Sequence, residues 1–191
     1  GPTGPFTYIK SVDSLAVALG VSPEVLVRAL ELASDPKAYR LTRAIVKRKP
    51  RMFTAPKDAL LVSIHRRLLD FLRPLNDALH PSCVAYVPER KPIEAAAPHS
   101  GQEWTQKLDI ADFFPSTTTS RVRETFEHLG APREVASVLA GLTTYEDALP
   151  TGAQTSPLLS NLDLADFDYT VATLAESRGI AYTRYSDDLI F

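Results

Sequence analysis

Cysteine is nearly absent: Cys83 is the only one in 191 residues. A lone thiol excludes an internal disulfide and a thiolate-held metal cluster, and it fits a reducing cytoplasm. Long apolar runs are missing too. None approaches the roughly 20 residues that a membrane-spanning helix needs. The opening Gly1-Pro2-Thr3-Gly4-Pro5 lacks the charged and apolar pattern of a signal peptide and reads as a flexible lead-in. No internal repeat is apparent. Nor does the chain have the composition of a disordered one: hydrophobic residues make up 45% and charged residues 23%. That suffices for one substantial core or two small ones.

What is present is unevenly distributed. The formal net charge is only −2. Yet residues 37–73 hold eleven Lys and Arg against Asp58 and Asp70, a local charge of +9 that leaves −11 for the remainder. A basic stretch beside an acidic one suits a protein that grips a phosphate backbone with one part and metal ions with the other. A solvated basic helix is the plain alternative.

Periodicity and capping residues predict the elements. Ser11 to Gly20 reads as a short helix, and Ser22-Pro23 opens a second that Asp35-Pro36 ends. This pair also fits the first half of a helix-turn-helix, but the leading end of its second helix, Pro23-Glu24-Val25, is unsuited to reading bases. Tyr39 to Val46 and Arg51 to Ala55 predict two antiparallel strands around a Lys47–Pro50 turn. Lys57 to Leu75 predicts an amphipathic helix, and residues 76–103 read as mostly irregular. Glu103 to Ile110 alternates as a strand that ends near Asp109. Helices are expected from Ser120, which would cap its own, from Pro132, and over Ser156 to Ser177.

The last ten residues, Tyr182 to Phe191, carry the sharpest signal. Two β-prone arms flank a Ser186-Asp187-Asp188 turn, which reads as a hairpin with adjacent carboxylates at its tip. Neighbouring anions repel, and a bound divalent cation is the usual remedy. Two more segments precede it in fixed order. One is Leu108-Asp109-Ile110-Ala111-Asp112-Phe113-Phe114-Pro115-Ser116. The other is Leu149-Pro150-Thr151-Gly152-Ala153-Gln154-Thr155-Ser156-Pro157.

Together these segments resemble the first, second and third palm motifs of reverse transcriptases, especially the bacterial kind of retrons and group II introns. The likeness covers residues 10–191. It implies an α+β fold: a polymerase palm, with a small antiparallel sheet backed by helices, beside helical and basic fingers. The expected division is an N-terminal helical segment at 1–36, fingers at 37–103 and palm at 104–191. The resemblance also implies that further palm strands, a primer grip and a thumb follow the third motif. The chain is therefore expected to be a fragment or a split subunit, truncated before the thumb and completed by a C-terminal segment or a second chain.

The implied activity is RNA-directed DNA synthesis in the cytoplasm, with a primer 3′-hydroxyl (an RNA 2′-hydroxyl at initiation) attacking a dNTP on an RNA template. The primer would be DNA or RNA, and the programme a retron or phage defence. The resemblance makes Asp109, Asp187 and Asp188 catalytic, holding two Mg²⁺ ions, or Mn²⁺ in their place, with help from the Ile110 carbonyl. It assigns Arg51 to the triphosphate, with Lys47 as its partner, or else Arg48 or Lys49. The amides of Asp112 and Phe113 would also hold the triphosphate, Phe114 would exclude a 2′-hydroxyl, and Thr151 and Gly152 would meet the nucleotide. Lys49, Arg66, Arg67, Gln154 and Tyr185 would contact nucleic acid. Retron enzymes tend to show Asn-Ala-x-x-His before the first motif, where this chain has Ala95-Ala96-Ala97-Pro98-His99. Two rivals share the motifs: a template-independent or protein-primed defence polymerase on the same palm, and a non-catalytic nucleic-acid-binding module.

Overall fold

The computed structural model describes residues 4–46 and 49–191, and the side chains of residues 46 and 49–51 lie outside that description. Two compact units are each assembled from two stretches of chain. The first takes the chain up to Pro74 and again Phe114–Ser156, the second Leu75–Phe113 and Pro157–Phe191. The expected mixture of helices and small antiparallel sheets is what the chain forms.

In the first unit, α1 (Val12–Ala18) starts at Ser11, whose hydroxyl accepts from Ser14 N. Gly20, at φ +66, turns the chain after it, a conformation that a residue with a Cβ resists. Helix α2 (Pro23–Ala33) has the expected Ser22 cap and leading proline. Two strands follow, β1 (Tyr39–Val46) and β2 (Lys49–Pro56), paired from Tyr39↔Pro56 to Val46↔Lys49. The ladder runs further than the sequence suggested, so Lys49 and Pro50 lie in β2. Pro50 is tolerated because a two-stranded ribbon leaves each strand an unpaired edge. Helix α3 (Ala59–Leu72) is capped by Asp58, which accepts from the amides of Leu60 and Leu61. It tightens into a 3₁₀ turn over Arg73–Ala78, with Pro74 ending the α-helix as expected.

Helices α5 (Thr119–His128) and α6 (Arg133–Thr143) complete this unit. Thr118, not Ser120, caps α5 by accepting from Arg121 N at 3.3 Å. The core is mostly aliphatic with a few aromatic rings: Leu15, Leu26, Ile64, Leu68, Phe126 and Leu139 are all fully buried. Phe6 sits among them, edge-to-face with Phe71 and Phe126 at centroid distances of 5.6 and 6.0 Å. Such rings dominate core energetics by buried area, with a smaller gain from the T-shaped geometry.

The second unit is built on a three-stranded sheet in the order β3-β5-β4, from β3 (Lys107–Asp109), β4 (Thr183–Tyr185) and β5 (Asp188–Ile190). Strand β3 is shorter than the expected Glu103–Ile110. β5 offers it three ladder partners, Gln106 adds a backbone hydrogen-bond pair with Phe191, and Trp104 beyond it stays 61% exposed. The expected single helix over 156–177 is two, α7 (Ser156–Asp163) and α8 (Ala165–Glu176), broken at Leu164. Residues 79–99, read as irregular, form the short helix α4 (Pro92–Ala96) and pack tightly, with Leu79, Cys83, Val84, Ala85 and Ala95 buried.

His99 is buried as well. The Thr183 hydroxyl donates to the Ala95 carbonyl at 2.8 Å, so its oxygen accepts from His99 Nε2, also at 2.8 Å. Burial lowers the imidazole pKa, which favours the neutral ring. Ala175, Tyr182 and Leu189 form a hydrophobic cluster in this unit, with Ile110, Val171 and Phe191 packed against it.

Candidate metal centre at the hairpin tip

The hairpin closes as expected. Strands β4 and β5 pair Tyr185↔Asp188 and Thr183↔Ile190. Ser186 and Asp187 form the turn, and Ser186 takes φ +60. Strand β3 then lies on the other side of β5 and pairs Asp109↔Asp188. The Ile110 amide donates to the Asp187 carbonyl at 2.8 Å. Asp109, Asp187 and Asp188, from two distant stretches of the chain, are therefore neighbours along the β3–β5 ladder and its turn. Alternation keeps Leu189, between Asp188 and Ile190, on the buried face.

Lys107, which the motif reading overlooked, bonds to one of them. Its Nζ lies 2.6 Å from Asp188 Oδ2. Its pKa is raised, chiefly by that hydrogen bond, with the charges of Asp188, Asp109 and Asp187 adding to it. All three carboxylates thus act on one ammonium. As they stand, no three His, Cys, Asp or Glu side chains among the described residues form a group able to hold a metal ion. The residue types are nonetheless hard oxygen donors of the kind a divalent ion prefers, three aspartates placed side by side where β3 and β5 end.

Beneath the tip lies a buried polar network that the sequence did not announce. Arg184 and Asp168 are both 0% exposed. Arg184 Nε donates to Asp168 Oδ1 at 2.9 Å, and Nη2 donates to Asp168 Oδ2 at 2.6 Å. Nη1 donates to Asn161 Oδ1 at 3.0 Å and to the Ser186 carbonyl at 3.1 Å. Nη2 also reaches Cys83 Sγ at 3.1 Å. All five N–H donors of the guanidinium are used. Asp168 accepts in addition from the Tyr182 hydroxyl at 2.7 Å, and Asn161 Nδ2 donates to the Ala85 carbonyl at 2.9 Å. Cys83 is buried as expected, yet it also serves as an acceptor. Burial pushes its thiol pKa up to about 11, so it is no nucleophile. A faint signal existed: an arginine inside an apolar hairpin arm requires a buried anion.

The remaining predicted residues fall in both units. In the second, Asp112 is exposed with φ +48, Phe113 is 7% exposed, and Tyr185 is partly exposed beside Asp188. In the first, Phe114 is half-buried. Thr151 Oγ1 accepts from Thr54 N at 3.0 Å, and Gly152 N donates to the Thr54 carbonyl at 2.8 Å, so the 151–152 loop is laced to β2. A Cβ on Gly152 would stand 2.6 Å from Ala55 Cβ, which explains the glycine. Gln154 borders a small hollow with Pro56, Val62, His65 and Gly152. His65, fully buried, bonds Thr155 Oγ1 at 3.0 Å, and burial lowers its pKa to about 4. Arg66 is exposed, whereas Arg67 donates to the carbonyls of Leu19 and Gly20 and so has a structural role at the end of α1. Lys47 and Arg48 lie outside the described residues. Lys49 and Arg51 stand opposite Val46 and Ala44 in the ladder, with their side chains outside the description.

No family model matches the chain. Individual relatives do. The retron Mx65 reverse transcriptase of Myxococcus xanthus is 35% identical over 206 aligned residues, covering 95% of this chain and 47% of that protein. The chain belongs to the retron-type bacterial reverse transcriptases. The retron Mx162 reverse transcriptase of Myxococcus xanthus is 32% identical, over 97% of this chain and 42% of its own length. The retron Ec86 reverse transcriptase of Escherichia coli is 39% identical over 120 residues, 62% of this chain and 38% of that protein. The chain thus spans less than half the length of these retron reverse transcriptases.

Proposed function

We propose that this chain carries the catalytic portion of an RNA-directed DNA polymerase, with Asp109, Asp187 and Asp188 as its metal-binding carboxylates. The second unit is then the palm core, and the basic β1–β2 ribbon and α3 belong to the fingers. One observation carries the reading: Asp109 and Asp188 are cross-strand partners, with Asp187 at the adjoining turn. A pair of divalent ions held there would supply the charge that activates an attacking hydroxyl and neutralises a leaving pyrophosphate. We infer Mg²⁺, with Mn²⁺ able to substitute, because the donors are hard oxygens.

The protein's own part is positioning and charge. Asp109, Asp187 and Asp188, with the Ile110 carbonyl, would hold the ions. No side chain serves as nucleophile. Arg51, Lys47 and the amides of Asp112 and Phe113 are proposed to hold triphosphate, Thr151 and Gly152 to meet the nucleotide, and Phe114 to favour deoxynucleotides. Lys49, Arg66, Gln154 and Tyr185 are proposed nucleic-acid contacts. The substrates would be dNTPs, an RNA template and a DNA or RNA primer. Among the described residues no helix is long and apolar enough to cross a membrane.

The test is the double variant Asp187→Asn/Asp188→Asn in the full-length protein. Primer extension on RNA should fall by orders of magnitude while RNA binding survives. Unchanged extension would overturn the assignment. RNA binding without synthesis by the unsubstituted protein would favour a pure binding module.

A further inference from the structure

The hairpin tip is held in a conformation that its own sequence disfavours. Ser186 is left-handed at φ +60, where a Cβ crowds the neighbouring carbonyl. Two side chains grip it. Arg184 binds its carbonyl, and the Tyr86 hydroxyl meets its hydroxyl at 3.2 Å. Tyr86 is itself left-handed at φ +63. Arg184 cannot drift, because its other four donors are fixed by Asp168, Asn161 and Cys83. A rigid planar fork with every tine engaged transmits position from α7 and α8 to the turn.

We propose that Arg184 is a positioning residue of the metal site: anchored by Asp168 and Asn161, it clamps Ser186 and so sets Asp187 against Asp109. This rests on the metal-binding reading of those carboxylates. Lysine keeps the charge but has one nitrogen, so it cannot hold Asp168, Asn161 and Ser186 together. A merely structural role predicts lost stability alone. A clamp predicts lost metal affinity that glycine at position 186 restores, since glycine takes φ +60 without a Cβ penalty.

The experiment titrates Mn²⁺ into the full-length protein by electron paramagnetic resonance and records the melting temperature of each variant. Arg184→Lys should weaken Mn²⁺ binding by about 10- to 100-fold. Adding Ser186→Gly should recover much of that affinity. Tyr182→Phe removes a bond to Asp168 but none to Ser186, and it should lower the melting temperature with Mn²⁺ affinity unchanged. Native affinity in Arg184→Lys, or equal weakening in Tyr182→Phe, would overturn the clamp.

Tyr86 is 50% exposed, so Tyr86→Phe loosens the same turn without threatening the core. It should weaken Mn²⁺ binding measurably, and native affinity there also counts against the clamp. An unsubstituted protein whose Mn²⁺ binding ignores Asp187→Asn would instead sink the metal reading itself.

Discussion

Asp168→Asn should be among the costliest single-atom changes in this chain. Asp168 is 0% exposed and accepts from Arg184 Nε, Arg184 Nη2 and the Tyr182 hydroxyl at 2.6–2.9 Å. Asparagine keeps the shape and one acceptor oxygen. Its amide, however, turns N–H toward N–H at Arg184 and removes the only charge that balances a fully buried guanidinium. Breaking one side of such a pair costs about 3–5 kcal/mol, a large share of the roughly 5–15 kcal/mol that holds a domain together. At about 2–4 °C per kcal/mol for a chain of this size, melting should fall by about 6–20 °C.

The assay is thermal and urea unfolding followed by circular dichroism, with separate transitions fitted where the two units melt apart. The double variant Asp168→Leu/Arg184→Met should be markedly more stable than Asp168→Asn alone, because nothing charged is left stranded. A loss below about 1 kcal/mol for Asp168→Asn would refute the reasoning, since that is how an exposed ion pair behaves.

His65 supplies a pH signature. Its folded pKa near 4 lies below the unfolded value near 6.5, so the unfolded chain binds the extra proton and stability falls as pH drops through that window. The loss should total about 3 kcal/mol, at 1.36 kcal/mol per unit. His65→Gln should flatten that part of the stability–pH curve, and a curve of unaltered slope would exclude His65 as its source. Gly152→Ala should force β2 away from the 151–152 loop, since the added carbon would come 2.6 Å from Ala55 Cβ. An overpacking cost of about 1–3 kcal/mol is expected in urea unfolding, and a neutral result would mean the loop yields freely.

Much of the fold was legible because its signals are local. Ser11, Ser22 and Pro23 announced two helices, and the alternation around Ser186-Asp187-Asp188 announced the hairpin. The pairing of the Asp109 strand with the hairpin arm follows from segments whose order along the chain was legible. The misses are long-range. Where α7 gives way to α8, a continuous helical pattern hides a break at Leu164. Strand β3 is short because β5 is short, a fact that lies eighty residues away in the sequence. Residues 79–99 looked irregular because their order comes from partners such as Arg184 and Thr183 rather than from period or propensity. Lys107 and Arg184 escaped notice for the same reason: an isolated basic residue gains meaning only from the carboxylate that it faces.

The carboxylates are joined by a ladder only three residues long, Lys107↔Ile190, Leu108↔Leu189 and Asp109↔Asp188. A slip of one residue along β5 would turn Leu189 to solvent and Asp188 inward, so the competent and incompetent alignments differ by a whole apolar face. The register of the aspartates is thus checked by the hydrophobic effect each time the sheet zips up. Between residues 110 and 182, insertions are tolerated only where they leave the Asn161 and Asp168 anchors and the ladder in step.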